Sequence, residues 1–193
     1  MLDYLEGKLV HLEPNFAVID TGGWGLKLTI SMFTYNKIKT KQDNKLKLYT
    51  QMVLRDDAVE LFGFYDAVER QAYILLNRVP GIGPKAAISI LSLMDVAQLK
   101  VSILSEDVKT LVTVPGIGKK TAQKIIIELK DRIKDLPVKT DVGIYNSIFE
   151  AKEALISLGF NPREIQLAID DDSIDSNDSA ENIIKTCLKK LSK

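Results

Sequence analysis

The sequence predicts a multi-domain protein of β and α structure, in which a small β-barrel is followed by a helical domain and then by a second, smaller helical domain. Three observations support this prediction. Apolar and polar side chains alternate over residues 1–64, as they do in half-buried strands. From residue 65 the apolar spacing changes to about 3.6 residues, as in helices. A glycine motif then occurs twice within the helical part.

The composition is that of a globular protein and excludes wholesale disorder. Of the 193 residues, 46% are hydrophobic and 27% are charged, which is enough to build cores. Lys and Arg number 26, as do Asp and Glu, so any charge directed at a partner must be local. The single cysteine fits a reducing compartment, and no apolar run approaches the roughly 20 residues of a membrane span. We therefore expect a cytoplasmic protein.

Five short runs of alternating residues predict the strands of the first domain, residues 1–64. Turn residues separate the runs, as in the Thr-Gly-Gly-Trp-Gly segment at 21–25. Five short strands with tight turns are typical of an OB-like barrel, a fold that commonly binds nucleic acids. The runs cover residues 8–12, 16–20, 26–30, 46–50 and 59–64.

The second domain is predicted to span residues 65–136 and to be helical throughout. Its repeated motif reads Val-Pro-Gly-Ile-Gly-Pro-Lys-Ala-Ala from residue 79 and Val-Pro-Gly-Ile-Gly-Lys-Lys-Thr-Ala from residue 114. Two copies are too few for a solenoid, so we expect them to form one compact unit. Residues 65–137 contain eleven basic and eight acidic side chains. The local basic excess therefore coincides with the glycine motifs.

Each motif has the features of a phosphate-binding turn that leads into a helix. Its glycines permit positive φ angles and the close approach of a phosphate, and the helix N-terminus directs free N–H groups at the anion. Lysines add positive charge. The alternative is a pair of glycine-capped turns with solvated lysines, and the near-identity of the two copies argues against it. The glycines are Gly81, Gly83, Gly116 and Gly118, and the lysines are Lys85, Lys119, Lys120 and Lys124.

Two nucleotide-binding motifs look similar and are excluded by their context. The dinucleotide fingerprint requires a preceding strand, whereas a helical segment leads into Gly81. The Walker pattern needs a glycine where Thr113 stands and a serine or threonine where Lys120 stands. We therefore expect binding of backbone phosphate without readout of bases. No cofactor is expected.

Residues 137–145 show no sustained period and are predicted to be a linker to a third domain, residues 146–193, of three helices. Gly159 is placed to end the first helix, and Pro162 to begin the second. Asp178 and Glu181 are predicted to cap the third, which carries Cys187 on its apolar face. The apolar face of the first helix comprises Ile148, Ala151, Leu155 and Leu158.

The double Val-Pro-Gly-Ile-Gly motif resembles paired helix–hairpin–helix elements, which bind the DNA backbone without sequence preference. Over the whole chain, the order of features is similar to that of the RuvA family, which recognises Holliday junctions in bacteria. These features are the barrel, the segments 53–58 and 61–64, the two hairpins, Lys-Asp-Arg at 130–132, the linker, and Leu-Gly-Phe at 158–160. The resemblance implies a DNA-binding platform that is not an enzyme.

The resemblance also implies roles for particular residues. The motif glycines and lysines contact the DNA backbone together with Arg55, while Asp56 and Asp57 form an acidic pin at the junction centre. From the residues alone, the two aspartates have another interpretation as a solvated hairpin tip. As two adjacent acids with no third ligand nearby in sequence, they make a poor metal site.

The resemblance further implies an assembly and partners. A homotetramer holds the four-way junction, with an octamer on DNA as the alternative. The hexameric ATPase RuvB docks on the third domain at Leu158, Gly159 and Phe160 and supplies the motor, and the resolvase RuvC shares the platform. These activities belong to DNA recombination, the repair of DNA damage and the SOS response.

The rival hypothesis is an enzyme, a repair glycosylase or nuclease in which Asp131 or Asp135 acts as the base. Glycosylase hairpins belong to a larger helical domain with a base-flipping pocket, which this sequence does not offer. A calcium loop at residues 170–181 has Asp175 in place of the required glycine. His11 is expected to be an ordinary strand residue. The sequence therefore predicts no catalytic residue and no metal site.

Overall fold

The structure is a computed structural model that describes residues 2–41, 44–54, 58–138, 142–169 and 178–191. These residues form two compact units, Met1–Val138 and Lys139–Lys193. The strands are β1 (Tyr4–Glu13), β2 (Phe16–Asp20), β3 (Gly25–Ile30), β4 (Lys45–Leu54) and β5 (Val59–Phe64). The helices of the first unit are α1 (Met32–Ile38), α2 (Ala67–Asn77), α3 (Pro84–Leu93), α4 (Val96–Leu104), α5 (Val108–Val112), α6 (Lys119–Leu129) and a 3₁₀ helix (Arg132–Asp135).

The five strands form a closed barrel in the order β1-β2-β3-β5-β4. Neighbouring strands are antiparallel except β3 and β5, which are parallel. The alternation seen in the sequence is a real inside–outside pattern, because alternate side chains such as Ala17 and Ile19 of β2 are fully buried. The predicted barrel of five strands is therefore confirmed. Several strands are longer than their alternating runs.

A short helix between β3 and β4 escaped sequence reasoning. Helix α1 has seven residues and is capped by Ser31, whose Oγ accepts a hydrogen bond from the Thr34 N–H at 3.0 Å. Fewer than two full turns give too few apolar positions to establish a period. The cap residue was the available signal, since serine is favoured before a first helical turn.

The barrel has a core of its own, but two residues of its last strand belong to the core of the helical domain. Phe62 and Phe64 of β5 are buried among the helices, where the ring of Tyr73 on α2 lies 5.2 Å and 4.9 Å from their ring centroids. Aromatic contacts at these distances add packing energy beyond the buried area. The boundary predicted after residue 64 thus falls inside one compact unit.

A buried carboxylate joins α1 to α2 within this unit. Glu69 is 1% exposed. Its Oε1 accepts a hydrogen bond from the Ser31 hydroxyl, and its Oε2 accepts from the Thr34 hydroxyl at 2.6 Å and from the Tyr65 N–H at 3.1 Å. Burial raises the pKa of Glu69 above its ordinary value, although the three donors act in the opposite direction.

A buried lysine forms hydrogen bonds with the C-terminal residues of the first unit. Lys100 of α4 is 7% exposed, and its ammonium group donates to the carbonyl oxygens of Lys134 at 3.0 Å and Leu136 at 2.8 Å. These are carbonyls at the end of the 3₁₀ helix, where free acceptors favour a cation. Val138 still packs against the first core, so this unit extends into the predicted linker.

The second unit contains α7 (Val142–Ser157), α8 (Pro162–Ile169) and α9 (Ala180–Leu191). Helix α7 begins at Val142, within the predicted linker 137–145. Gly159 has a φ of +90°, and the Phe160 N–H donates to the Leu155 carbonyl at 3.2 Å, so the glycine ends this helix as predicted. The core of the unit comprises Ala151, Leu155, Ile165, Ala168, Ile169, Ile183 and Cys187.

Two predictions about the second unit need correction. The apolar spacing places Leu158 on the buried face of the first helix, but Leu158 follows the last residue of α7 and is 63% exposed. At the start of α9, the Ser179 hydroxyl accepts from the Asn182 N–H at 3.4 Å, one residue later than the predicted pair Asp178 and Glu181. Cys187 is buried as expected, and burial raises the pKa of its thiol.

Within the described residues, no helix by itself has the length and apolar character needed to cross a membrane. One bent pair, α3 with α4, passes that test jointly, with an angle of 98° at its break.

Candidate nucleic-acid interface

The first glycine motif is a tight turn between α2 and α3, and buried apolar residues of the motif anchor it. Val79 and Ile82 are buried in the helical core, and the Ile82 N–H donates to the Val79 carbonyl at 2.9 Å. Gly81 between them has a φ of +98°, which side chains rarely allow. The two apolar residues therefore fix the turn to the core, while its glycines face outward and are exposed.

The second motif repeats this arrangement between α5 and α6. Val114 and Ile117 are buried in the same core, and the Ile117 N–H donates to the Val114 carbonyl at 3.0 Å. Gly116 has a φ of +86°. The sequence repeat is therefore a structural repeat, and both copies are anchored in one body.

The second glycine of each motif precedes the following helix, and its φ angle does not explain why it is a glycine. Gly83 and Gly118 have φ values of −91° and −84° with ψ near the extended range, which any residue adopts. A Cβ atom built on either glycine meets no atom within 4 Å. The fold itself therefore does not demand glycine at these two positions, and the backbone there is open to the close approach of a ligand.

The helix N-termini behind these glycines present unpaired backbone donors. A glycine at the cap position has no side chain to accept from the first-turn N–H groups. Such N–H groups, together with the positive end of the helix dipole, suit an anion such as phosphate. The motif lysines stand beside them, and all four side chains are exposed: Lys85, Lys119, Lys120 and Lys124.

The structure does not describe all of the remaining predicted site residues. Arg55, Asp56 and Asp57 lie outside the described residues. The flanking strands β4 and β5 are paired up to Leu54 and Val59, which are 69% and 65% exposed. No group of three or more His, Cys, Asp or Glu side chains suited to a metal ion occurs among the residues that the structure describes.

On the second unit, the predicted partner-binding residues differ in their exposure to solvent. Leu158 and Gly159 are exposed, whereas Phe160 is half-buried against the core of the unit. Sequence reasoning missed two other exposed apolar residues of this unit, Ile156 and Leu167. Leu167 was recognisable as a large apolar residue next to the buried Ala168 of the same helix.

Comparison with known proteins finds matches for three segments of the chain. Family models match residues 1–63 (RuvA N terminal domain), 73–131 (SAM-like Helix-hairpin-helix tandem) and 149–192 (RuvA, C-terminal domain). The chain is 38% identical over 198 residues to a protein of Clostridium tetani, covering 99% of both chains. It is also 38% identical to proteins of Clostridium botulinum, over 100% of both chains, and of Cytophaga hutchinsonii, over 98% of this chain and 99% of the relative. All three relatives are named Holliday junction branch migration complex subunit RuvA, and with the matching domain models they show that this chain belongs to the RuvA family.

Proposed function

We propose that this chain binds Holliday junction DNA as a subunit of a branch migration complex and has no catalytic activity of its own. The observation that carries this proposal is the pair of helix N-termini that follow Gly83 and Gly118, the first with one exposed lysine and the second with three, and both anchored in one core. The relatives in three bacteria have the corresponding name.

The chemistry of the two hairpins determines what they recognise. Backbone N–H groups and lysines bind phosphate oxygens but do not distinguish bases. The chain therefore binds duplex arms of any sequence. Its affinity for DNA depends strongly on salt, because counterions are released when the phosphates are bound. Discrimination of a junction from plain duplex needs a further element. We assign it to Arg55, Asp56 and Asp57 between β4 and β5, with Arg55 on the DNA backbone and the aspartates as an acidic pin at the crossover.

The assembly and the partners belong to the same proposal. Four copies of the chain form the platform that holds the junction. The alternative is that two such tetramers enclose the junction. The third domain, residues 146–193, docks the hexameric ATPase RuvB, with the exposed Leu158 as the apolar contact and Gly159 and Phe160 shaping the turn. RuvC shares the platform. The proposed setting is DNA recombination and repair in the cytoplasm, including the SOS response.

Electrostatics disfavour Asp131 as the base of the rival proposal, a nuclease or glycosylase with Asp131 or Asp135 in that role. Asp131 is exposed, and the Lys134 ammonium group lies 2.7 Å from its Oδ1. This ion pair lowers the pKa of Asp131. A general base works best with a pKa near the operating pH, so the shift is in the unproductive direction.

The testing experiment compares a labelled four-way junction with a duplex of the same arm sequences, incubated with the full chain in the absence of any partner protein. We expect preferential binding of the junction and intact DNA strands on a denaturing gel. The variant Lys119→Glu/Lys120→Glu should lose binding to both. The matched control is Lys37→Glu/Lys39→Glu, with the same charge change on exposed residues at the end of α1 and directly after it. Cleaved strands, or equal loss of binding in both variants, would contradict the proposal.

A further inference from the structure

We propose that the two hairpins bind DNA unequally, with the second as the principal phosphate grip and the first as a weaker contact that sets the position of the DNA relative to the barrel. This inference rests on the proposed function, because it assumes that both hairpins contact DNA backbone. It follows from comparing the two copies position by position in the structure.

The first difference is the number of backbone donors. In both copies the first intrahelical hydrogen bond runs to the cap glycine, from Ala87 to Gly83 at 3.0 Å and from Ala122 to Gly118 at 2.9 Å. The residues between cap and bond are therefore equivalent. In α3 the first of them is Pro84, which has no N–H. The first hairpin thus directs two N–H groups at a ligand and the second directs three.

The second difference is charge along the helix that faces the ligand. Lys119 occupies the position of Pro84, and Lys124 occupies the position of Ser89. The Ser89 hydroxyl is turned back onto its own helix, where it donates to the Lys85 carbonyl at 3.0 Å. Helix α3 therefore offers one cation to the DNA, and α6 offers three. Even with the exposed Arg78, which ends α2 before the first turn, the second hairpin has more positive charge.

The third difference is how each hairpin is attached. Helix α3 packs against α1 of the barrel, and the Met32 N–H at the start of α1 donates to the Ser92 hydroxyl near the end of α3 at 3.1 Å. Helix α6 instead packs against α2, α4, α5 and the 3₁₀ helix. The first hairpin is therefore bound directly to the barrel that carries the β4–β5 connection, which gives it the positioning role.

These differences predict unequal salt dependence. Each phosphate contact contributes about 0.9 to the magnitude of the slope of log K against log salt, so relative to about 1 M salt it adds roughly tenfold in affinity at about 50 mM. The variant Lys119→Gln/Lys120→Gln/Lys124→Gln should therefore lose about 1000-fold in duplex affinity at about 50 mM salt and flatten the slope by up to about three. Lys85→Gln should lose about tenfold and flatten it by about one.

Two matched comparisons separate the backbone donor from the charge. Lys119→Pro removes an N–H and a charge, whereas Lys119→Gln removes only the charge, and proline is well tolerated at this first helical position. We expect Lys119→Pro to bind duplex about tenfold more weakly than Lys119→Gln, because a hydrogen bond to a charged group is lost. In the first hairpin, Pro84→Lys/Ser89→Lys should tighten binding and steepen the salt slope by about two.

The measurement is duplex affinity by fluorescence anisotropy across a salt series, with circular dichroism to confirm that each variant is folded. Equal losses from Lys85→Gln and from the triple variant, or no gain from Pro84→Lys/Ser89→Lys, would overturn the inequality of the hairpins while leaving DNA binding itself intact. A wild-type chain that binds neither duplex nor junction would instead refute the proposed function. The two failures are therefore distinguishable.

Discussion

Removal of the buried carboxylate of Glu69 should destabilise the first unit substantially. In Glu69→Ala, the Ser31 and Thr34 hydroxyls lose their acceptor in a buried site, whereas the Tyr65 N–H loses one of its two acceptors and keeps the Thr34 hydroxyl oxygen at 2.9 Å. Hydrogen bonds to a charged group contribute roughly 1.5–3 kcal/mol each. Desolvation of the carboxylate, which raises its pKa, offsets part of this sum. We expect a net loss of about 3 kcal/mol.

The isosteric variant Glu69→Gln isolates the charge and makes the pH dependence testable. Because the folded-state pKa of Glu69 lies above its value in the unfolded chain, the folded state binds the proton more tightly. The contribution of this titration is therefore fully present below about pH 4 and is lost as pH rises through the folded-state pKa. Glutamine cannot titrate. The stability of the wild type relative to Glu69→Gln should consequently fall with rising pH.

The assay is thermal and urea unfolding followed by circular dichroism between pH 4 and 8 on the full chain. A loss of about 3 kcal/mol lowers the midpoint temperature by roughly 6–12 °C in a protein of this size. Glu128→Gln, on the exposed surface of α6, is the matched control and should change neither value. A Glu69→Ala midpoint equal to that of the wild type would refute the stabilising role of the Glu69 carboxylate. A wild-type advantage over Glu69→Gln that grows with pH would show that hydrogen bonding outweighs burial.

Three further predictions concern the pin, the domain boundary and the glycines. Asp56→Asn/Asp57→Asn should bind duplex and junction more tightly, discriminate less between them and show a steeper salt dependence, because like charges that repel phosphate are removed; unchanged affinities across a salt series would leave only a solvated hairpin tip. A fragment ending at Val138 should fold and bind junctions but fail to stimulate the ATPase partner, and partner binding retained by this fragment would contradict the docking assignment. Gly118→Ala should unfold at nearly the wild-type temperature and yet bind DNA poorly, whereas Gly116→Ala should lose about 1–2 kcal/mol of stability at its positive φ; the reverse order of stabilities would contradict our distinction between the two glycines.

Local patterns in the sequence were sufficient for much of the fold. The five strands followed from the alternation of side chains, because a closed barrel buries every second residue along each strand. The two hairpins followed from a repeated motif in which a glycine needs positive φ and its apolar neighbours need a core. Gly159 ended α7 for the same local reason. The geometry of the two hairpins was therefore predictable from the sequence alone.

Tertiary structure decided the features whose partners are distant in the chain. Glu69 and Lys100 look like ordinary surface charges in sequence, yet both are buried. Their hydrogen-bond partners are distant in the chain, since Ser31 lies 38 residues from Glu69 and Leu136 lies 36 residues from Lys100. Phe62 belongs by periodicity to the barrel, but packing against Tyr73 places it in the helical core. Periodicity reports only which side of an element is apolar. Which surface covers that side, and which buried charge finds a hydrogen-bond partner there, depends on how the elements pack.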